Sequence, residues 1–270
     1  MSLQSTLLDQ LQHEPAVLVT VQSTRGSAPR EAGTWMAVFA HNTVATVGGG
    51  RLEFDAMAHA RTLLMHGSGD AVVRYALGPS LGQCCGGEMV LHFERIGVSA
   101  GTDDVAALRQ RLARTLIPVA LFGGGHVGRA VVQVLAALPM QLTWVDSRDE
   151  IFPSGLPANV QCEHSDPVHA AVADLQSGSR VLIMSFSHAE DLDVVAACLA
   201  RQRAQADLPY VGLIGSKTKW ASFRQRLQAR GFTEAELVHV TCPIGVSGIT
   251  GKEPEVIAVA VAAQILQVCA

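Results

Sequence analysis

The chain has 270 residues with 20 Lys or Arg against 24 Asp or Glu, a net charge of −4, which is enough chain for one large or two medium cores. Its low charge and many Ala, Val and Leu exclude a disordered chain, and slight acidity without a basic run excludes an electrostatic footprint for nucleic acid. The longest apolar helical pattern, residues 256–268, is short for a bilayer and is interrupted by Gln264 and Gln267, so no membrane span is expected. The opening Met1-Ser2-Leu3-Gln4 has no charged segment leading into an apolar one, which points to the cytosol. Six dispersed cysteines, at 84, 85, 162, 198, 242 and 269, then read as reduced thiols, and none has zinc-ligand spacing.

Helical spacing over 5–11 and an apolar run over 16–21 predict a helix and a strand. Ser23-Thr24-Arg25-Gly26-Ser27-Ala28-Pro29-Arg30 follows as a polar loop. Its hydroxyls and the guanidiniums of Arg25 and Arg30 suit an oxyanion or a polar heterocycle, or else form an ordinary surface turn. Residues 34–40 and 43–47 read as a hairpin through His41-Asn42, running into Gly48-Gly49-Gly50 and a helix over 51–66. Strand, glycines and helix in that order turn backbone N–H groups toward an anion. Glu53, in the first turn, either complements the helix dipole or contacts a ligand.

Between a strand over 71–77 and another over 89–96 lies Gly82-Gln83-Cys84-Cys85-Gly86-Gly87. Glycines on both sides of two adjacent thiols let a large partner approach the sulfurs closely. The alternative is a pair of inert, half-buried cysteines in a tight turn. Residues 97–104 have the composition of a linker, and Asp103 and Asp104 stand where they would cap a helix over 105–116. The boundary is therefore placed there, giving a mixed α+β domain over 1–100 and a Rossmann-like parallel α/β domain over 101–270.

The second half alternates strand and helix. A strand over 119–122 meets Gly123-Gly124-Gly125-His126-Val127-Gly128, which matches Gly-x-Gly-x-x-Gly where a helix over 127–138 opens. The strand over 142–145 ends at Asp146, the place of a ribose-binding acid, with Arg148 beside it for a 2′-phosphate. Later units are a strand over 181–186 with a helix over 189–205, a strand over 210–214 with a helix over 220–230, a strand over 238–240 and the helix over 256–268. Ser187, His188, Ser216, Lys217 and Cys242 then fall at the carboxyl ends of strands, the ligand edge of such sheets.

Taken together, Gly26 to Arg30, Gly48-Gly49-Gly50 with Glu53, Gln83-Cys84-Cys85-Gly86-Gly87, Phe122 to Gly128, Asp146-Ser147-Arg148, Ser187-His188 with Asp193, Gly212 to Lys217 and Cys242-Pro243-Ile244-Gly245 resemble the xanthine dehydrogenase accessory (XdhC/CoxI) family over nearly the whole chain. The resemblance implies a carrier without turnover of its own. Such a carrier binds the molybdenum cofactor (molybdopterin), shelters it while a cysteine desulfurase assists exchange of an oxo ligand for sulfido, and passes it to xanthine dehydrogenase or a related molybdenum hydroxylase. It implies Cys84 or Cys85 at the molybdenum, Arg25, Arg30 and Gly48 to Gly50 at pterin or phosphate, and a homodimer. A nucleotide-dependent oxidoreductase is the other reading, with NAD(P) on Gly123, Gly125, Gly128 and Asp146 and the tandem cysteines as a redox pair; His126, within the glycine motif, is a further cofactor-binding candidate.

Overall fold

In a computed structural model, residues 3–66, 70–78, 86–97, 102–112 and 115–269 are described. The chain separates into two compact units, Met1–Ala113 and Arg114–Ala270. The first is built on β1 (Ala16–Arg25), whose residues 16–21 are apolar on both faces apart from Thr20 because both faces are covered there. An antiparallel sheet forms around it in the order β3-β2-β1-β5-β4, with β2 Trp35–Val38, β3 Thr43–Ala45, β4 Ala71–Ala76 and β5 Glu88–Ile96. Val17, Val19 and Val21 face one way, onto the Leu52, Ala56 and Ala60 stripe of α2 (Gly50–His66). Ala16 and Leu18 face the other, onto Leu7, Leu8 and Leu11 of α1 (Leu3–Leu11) and Leu112 of α3 (Thr102–Leu112). Each such aliphatic side chain removed from water contributes about 1.5–3 kcal/mol.

Two features differ from the sequence reading. Ser23, Thr24 and Arg25, read as loop, remain in β1 opposite Val90, Met89 and Glu88 of β5, after a register shift between Val21 and Ser23. Cross-strand pairing outweighs their polar composition, and the turn starts at Gly26. The stretch read as linker already contains the start of α3, and the first unit runs on to Ala113. Amphipathic packing of Leu112, Val105 and Leu108 on the α1 side draws that helix into the first unit. Residues 98–101 and the side chains of Asp103 and Asp104, expected as caps, lie outside the described set.

The second unit is a parallel sheet in the order β11-β10-β9-β6-β7-β8. Its strands are β6 Ile117–Phe122, β7 Met140–Asp146, β8 Val160–His164, β9 Arg180–Ile183, β10 Tyr210–Leu213 and β11 Val240–Thr241. Counted from β6 this is the doubly wound order 3-2-1-4-5-6, so the Rossmann-like expectation is met. Ala120 and Phe122 pack toward α5 (His188–Gln205) and α6 (Lys217–Ala229). Val119 and Leu121 pack toward α4 (His126–Leu135) and α8 (Pro254–Cys269). The strand expected over 238–240 is displaced by α7 (Glu234–Leu237), whose capping box on Thr233 and Glu236 fixes a helical turn there. Among the described residues no helix is long and apolar enough to cross a membrane.

Glycine is obligatory at two points of the β6–α4 turn. Gly123 sits at φ +120°, and a Cβ on Gly128 would collide with the Gly123 carbonyl oxygen. Gly125, at φ −66°, has nothing within 4 Å of its Cβ position. Gly128→Ala is expected to lower unfolding free energy by about 2 kcal/mol or more, and Gly125→Ala by less than about 0.5 kcal/mol, in urea denaturation. Equal losses would contradict this packing.

Candidate functional site

In the first unit, three glycine-bearing segments singled out in the sequence meet. Leu77 donates its N–H to the Gly87 carbonyl at 2.8 Å, closing the neck of the loop that carries the cysteines. Gly87 lies directly on the end of β1: a Cβ there would collide with the Ser27 carbonyl oxygen and stand 2.8 Å from that of Arg25. On the other flank, Pro29 Cγ and Cβ come to 2.7 and 2.8 Å from the Cβ position of Gly48, with Arg30 Cγ at 3.6 Å. Gly48 has φ +133°, a backbone region that favours glycine. The Gly26–Arg30 turn is thus seated between the Gly48 turn and Gly87. Arg25 and Arg30 are both exposed, and neither guanidinium has a hydrogen-bond or ion-pair partner among the described residues. Gln83, Cys84 and Cys85 lie outside the described residues.

Glu53 organises its own turn. One oxygen accepts the N–H groups of Val47 and Gly49, each at 3.1 Å, and the Thr46 hydroxyl. Thr46 Oγ1 in turn accepts the Gly48 N–H at 3.1 Å. The donors of Gly48 and Gly49, expected to face an anion, are therefore spent inside the turn, and these glycines serve by conformation. Gly50 opens α2. Motif reading passed over Tyr75 and Asp55. Tyr75 pairs with Met89 just inside the loop neck, and burial, then the Asp55 carboxylate, push its hydroxyl above the usual range. Asp55 is itself held by Arg51 at 2.9 and 3.1 Å. Alternation along β4 was the signal that Tyr75 faces α2.

In the second unit, the strand ends carry two polar clusters. At the first, Asp146 is 2% exposed and accepts four hydrogen bonds. Oδ1 takes Arg148 N at 2.9 Å and Nε at 2.8 Å, while Oδ2 takes Gly124 N at 2.5 Å and Arg148 Nη2 at 2.9 Å. Arg148 also lies 4.4 Å from the ring centroid of the exposed Phe186. At the second, Lys219 Nζ donates to Asp191 Oδ2 at 2.6 Å and to the Ile214 carbonyl at 2.9 Å, while Asp191 Oδ1 accepts the Ser185 N–H at 2.8 Å. Cys242 Sγ is 3.4 Å from the Cβ position of Gly215. Burial pushes its thiol up to about 11, Lys219 opposing and Asp191 adding. Ser216 caps α6 by accepting the Lys219 N–H at 3.1 Å, and Lys217 is exposed. The sequence pointed to Lys217; the ammonium paired with buried Asp191 is the largely covered Lys219, recognisable only once Asp191 is known to face it. His126 and His188 are exposed first residues of α4 and α5.

Burial alone would raise the Asp146 carboxyl, but the Arg148 hydrogen bonds and the Gly124 and Arg148 N–H groups outweigh it and hold the carboxyl below its usual range. A depressed folded-state value stabilises above the unfolded pKa of about 3.9, and that contribution is lost as pH falls through the folded value. Asp146→Asn is expected to cost about 2 kcal/mol at neutral pH. The gap to wild type should begin to narrow below about pH 4, where the unfolded carboxyl takes up its proton before the native one does. Urea unfolding at pH 7 and pH 3 checks this, and an undiminished gap at pH 3 would contradict it.

A family model described as the XdhC Rossmann domain matches residues 119–265, and one described as the XdhC and CoxI family matches residues 10–76. The uncharacterized protein YqeB of Escherichia coli K12 is 26% identical over 270 residues, covering 95% of this chain and 44% of its own length. The chain thus spans less than half of that relative. A solved structure from Bacillus halodurans, described as a xanthine dehydrogenase, shares the fold at a TM-score of 0.77 and 18% identity, over 100% of this chain and 96% of that one. With the Rossmann-domain model alone matching more than half of its residues, the chain belongs to the XdhC family.

Proposed function

We propose that this protein binds the molybdenum cofactor as cargo, protects it, assists its sulfuration and delivers it to xanthine dehydrogenase or a related molybdenum hydroxylase. The observation that carries this reading is the seating of the Gly26–Arg30 turn against Gly87, the residue at which the chain leaves the cysteine-bearing segment, with exposed Arg25 and Arg30 at the two ends of that turn and no side-chain partner for either among the described residues. A cargo with an anionic phosphate tail and a soft, sulfur-bound metal requires both kinds of group near each other. Guanidiniums bind phosphate through paired charge-assisted hydrogen bonds, and a thiolate is the side chain best matched to a soft metal.

Each segment has a role in this account. Arg25 and Arg30 hold the phosphate or pterin end. Cys84 or Cys85 ligates the molybdenum, Gln83 and Gly86 flank the two thiols, and Gly87 seats that segment against the Gly26–Arg30 turn. Gly48 and Gly49, tied through Thr46 and Glu53, keep Pro29 and Arg30 in place at Gly48, ahead of Gly50 at the start of α2. Release to the apoenzyme follows when the target offers the metal and the phosphate better partners, since a carrier's affinity must lie below that of its acceptor. A cysteine desulfurase as sulfur donor, a homodimeric state and a cytosolic setting complete the reading.

Anaerobic incubation of the full chain with purified molybdenum cofactor, gel filtration and measurement of molybdenum and pterin per chain test it. Wild type is expected to retain close to one equivalent, Cys84→Ala/Cys85→Ala to lose the metal, and Arg25→Gln/Arg30→Gln to bind at least about tenfold more weakly with a reduced salt dependence. Undiminished molybdenum in the double cysteine variant would overturn the assignment.

A further inference from the structure

A dinucleotide fold asks three things of its first βα turn and the strand that follows. It needs a glycine turn tight enough to bring helix and strand together, an open approach for the pyrophosphate, and an acid at the end of the second strand with an oxygen free for the ribose. Here Gly123 and Gly128 satisfy the first, and the space at Gly125 is open. The third fails. A carboxylate has about four lone-pair positions, and all four on Asp146 are taken, three by Arg148 and one by the Gly124 N–H.

The region above the turn is filled as well. The Cβ position of Gly124 is 2.6 and 2.8 Å from Ile151 Cγ1 and Cγ2. Ile151 belongs to a short 3-10 turn, Asp149–Ile151, that folds back after β7. Arg129 fastens that turn, donating from Nη2 to the Ile151 carbonyl at 2.9 Å and from Nε to the Gly124 carbonyl at 3.3 Å. Ser147 donates to Glu190 Oε1 at 2.8 Å, and Glu190 Oε2 accepts the Phe186 N–H at 3.0 Å, so the segment is also fixed to the loop after β9. Residues 147–152 therefore do what a bound adenosine would do in a nicotinamide enzyme: they cover the glycine turn and saturate the acid.

Displacement by a nucleotide is unfavourable on chemical grounds. A neutral ribose hydroxyl would replace a bidentate, charge-assisted partner whose hydrogen bonds are roughly twice as strong. A 2′-phosphate attracted to Arg148 would meet the buried Asp146 carboxylate in the same pair. We propose that residues 147–152 are a built-in plug of the adenosine half of the crevice, so that the Rossmann unit of this chain works without a nicotinamide dinucleotide.

Calorimetric titration of the full chain with NADH and with NADPH tests the plug. Wild type is expected to show no saturable binding up to about 1 mM, the weak limit of measurable affinity. Arg148→Ala/Ile151→Ala, which frees the acid and uncovers Gly124, is expected to gain at least about tenfold in affinity for NADH, with near-UV circular dichroism confirming its fold. Should the double variant lose that signal, Ile151→Ala alone carries the comparison, with a smaller gain expected. Micromolar binding by wild type, or no gain in a folded variant, would overturn the proposal.

Discussion

Between the end of β1 and Gly87, two stretches of main chain approach more closely than any side chain permits. The rest of the first unit arranges itself around this contact. The β1–β5 ladder continues past its register shift as far as Arg25 and Glu88, which delivers the two backbones to the meeting point. Pro29 wedges against Gly48 from the opposite side, and Glu53 gathers the N–H groups that would otherwise leave that turn loose. The outcome is a turn held at both ends on a sheet with apolar residues buried on each face, with two exposed arginines whose side chains have no partner among the described residues.

The second unit presents the opposite arrangement. Its fold is that of a nucleotide-binding domain, yet the groups that would greet a nucleotide are engaged with one another. Arg148 neutralises Asp146, Ile151 covers Gly124, and Lys219 neutralises Asp191. Buried ion pairs of this kind contribute modestly to net stability but are costly to break from one side, so they define a single arrangement. Glycines retained at 123 and 128 are explained by backbone packing alone, which is why a Gly-x-Gly-x-x-Gly pattern speaks for fold more strongly than for ligand.

Periodicity made much of this legible. The alternation of 16 and 18 against 17, 19 and 21 in β1, and of 119 and 121 against 120 and 122 in β6, follows directly from which faces are covered. The glycines at 26, 48, 86 and 87 marked segments that do meet in space. What escaped were properties set by partners distant in sequence. Ser23 to Arg25 are strand because β5 lies beside them, and the largely polar β8 is a strand because it borders β7. Lys219 is turned inward because Asp191 faces it, and Asp146 is closed because Arg148, two residues on, folds back upon it. No local pattern distinguishes an acid awaiting a ribose from one already paired.

The central claim, which belongs to the proposed function, is that the turn seated on Gly87 and the cysteines that precede it in sequence grip one cargo together. The most direct measurement is molybdenum cofactor retention by Gly87→Ala beside Gly86→Ala, a position with nothing within 4 Å of its Cβ. With both variants folded by circular dichroism, the account predicts that Gly86→Ala retains the wild-type amount and that Gly87→Ala loses most of it. Equal, full retention by both would contradict it.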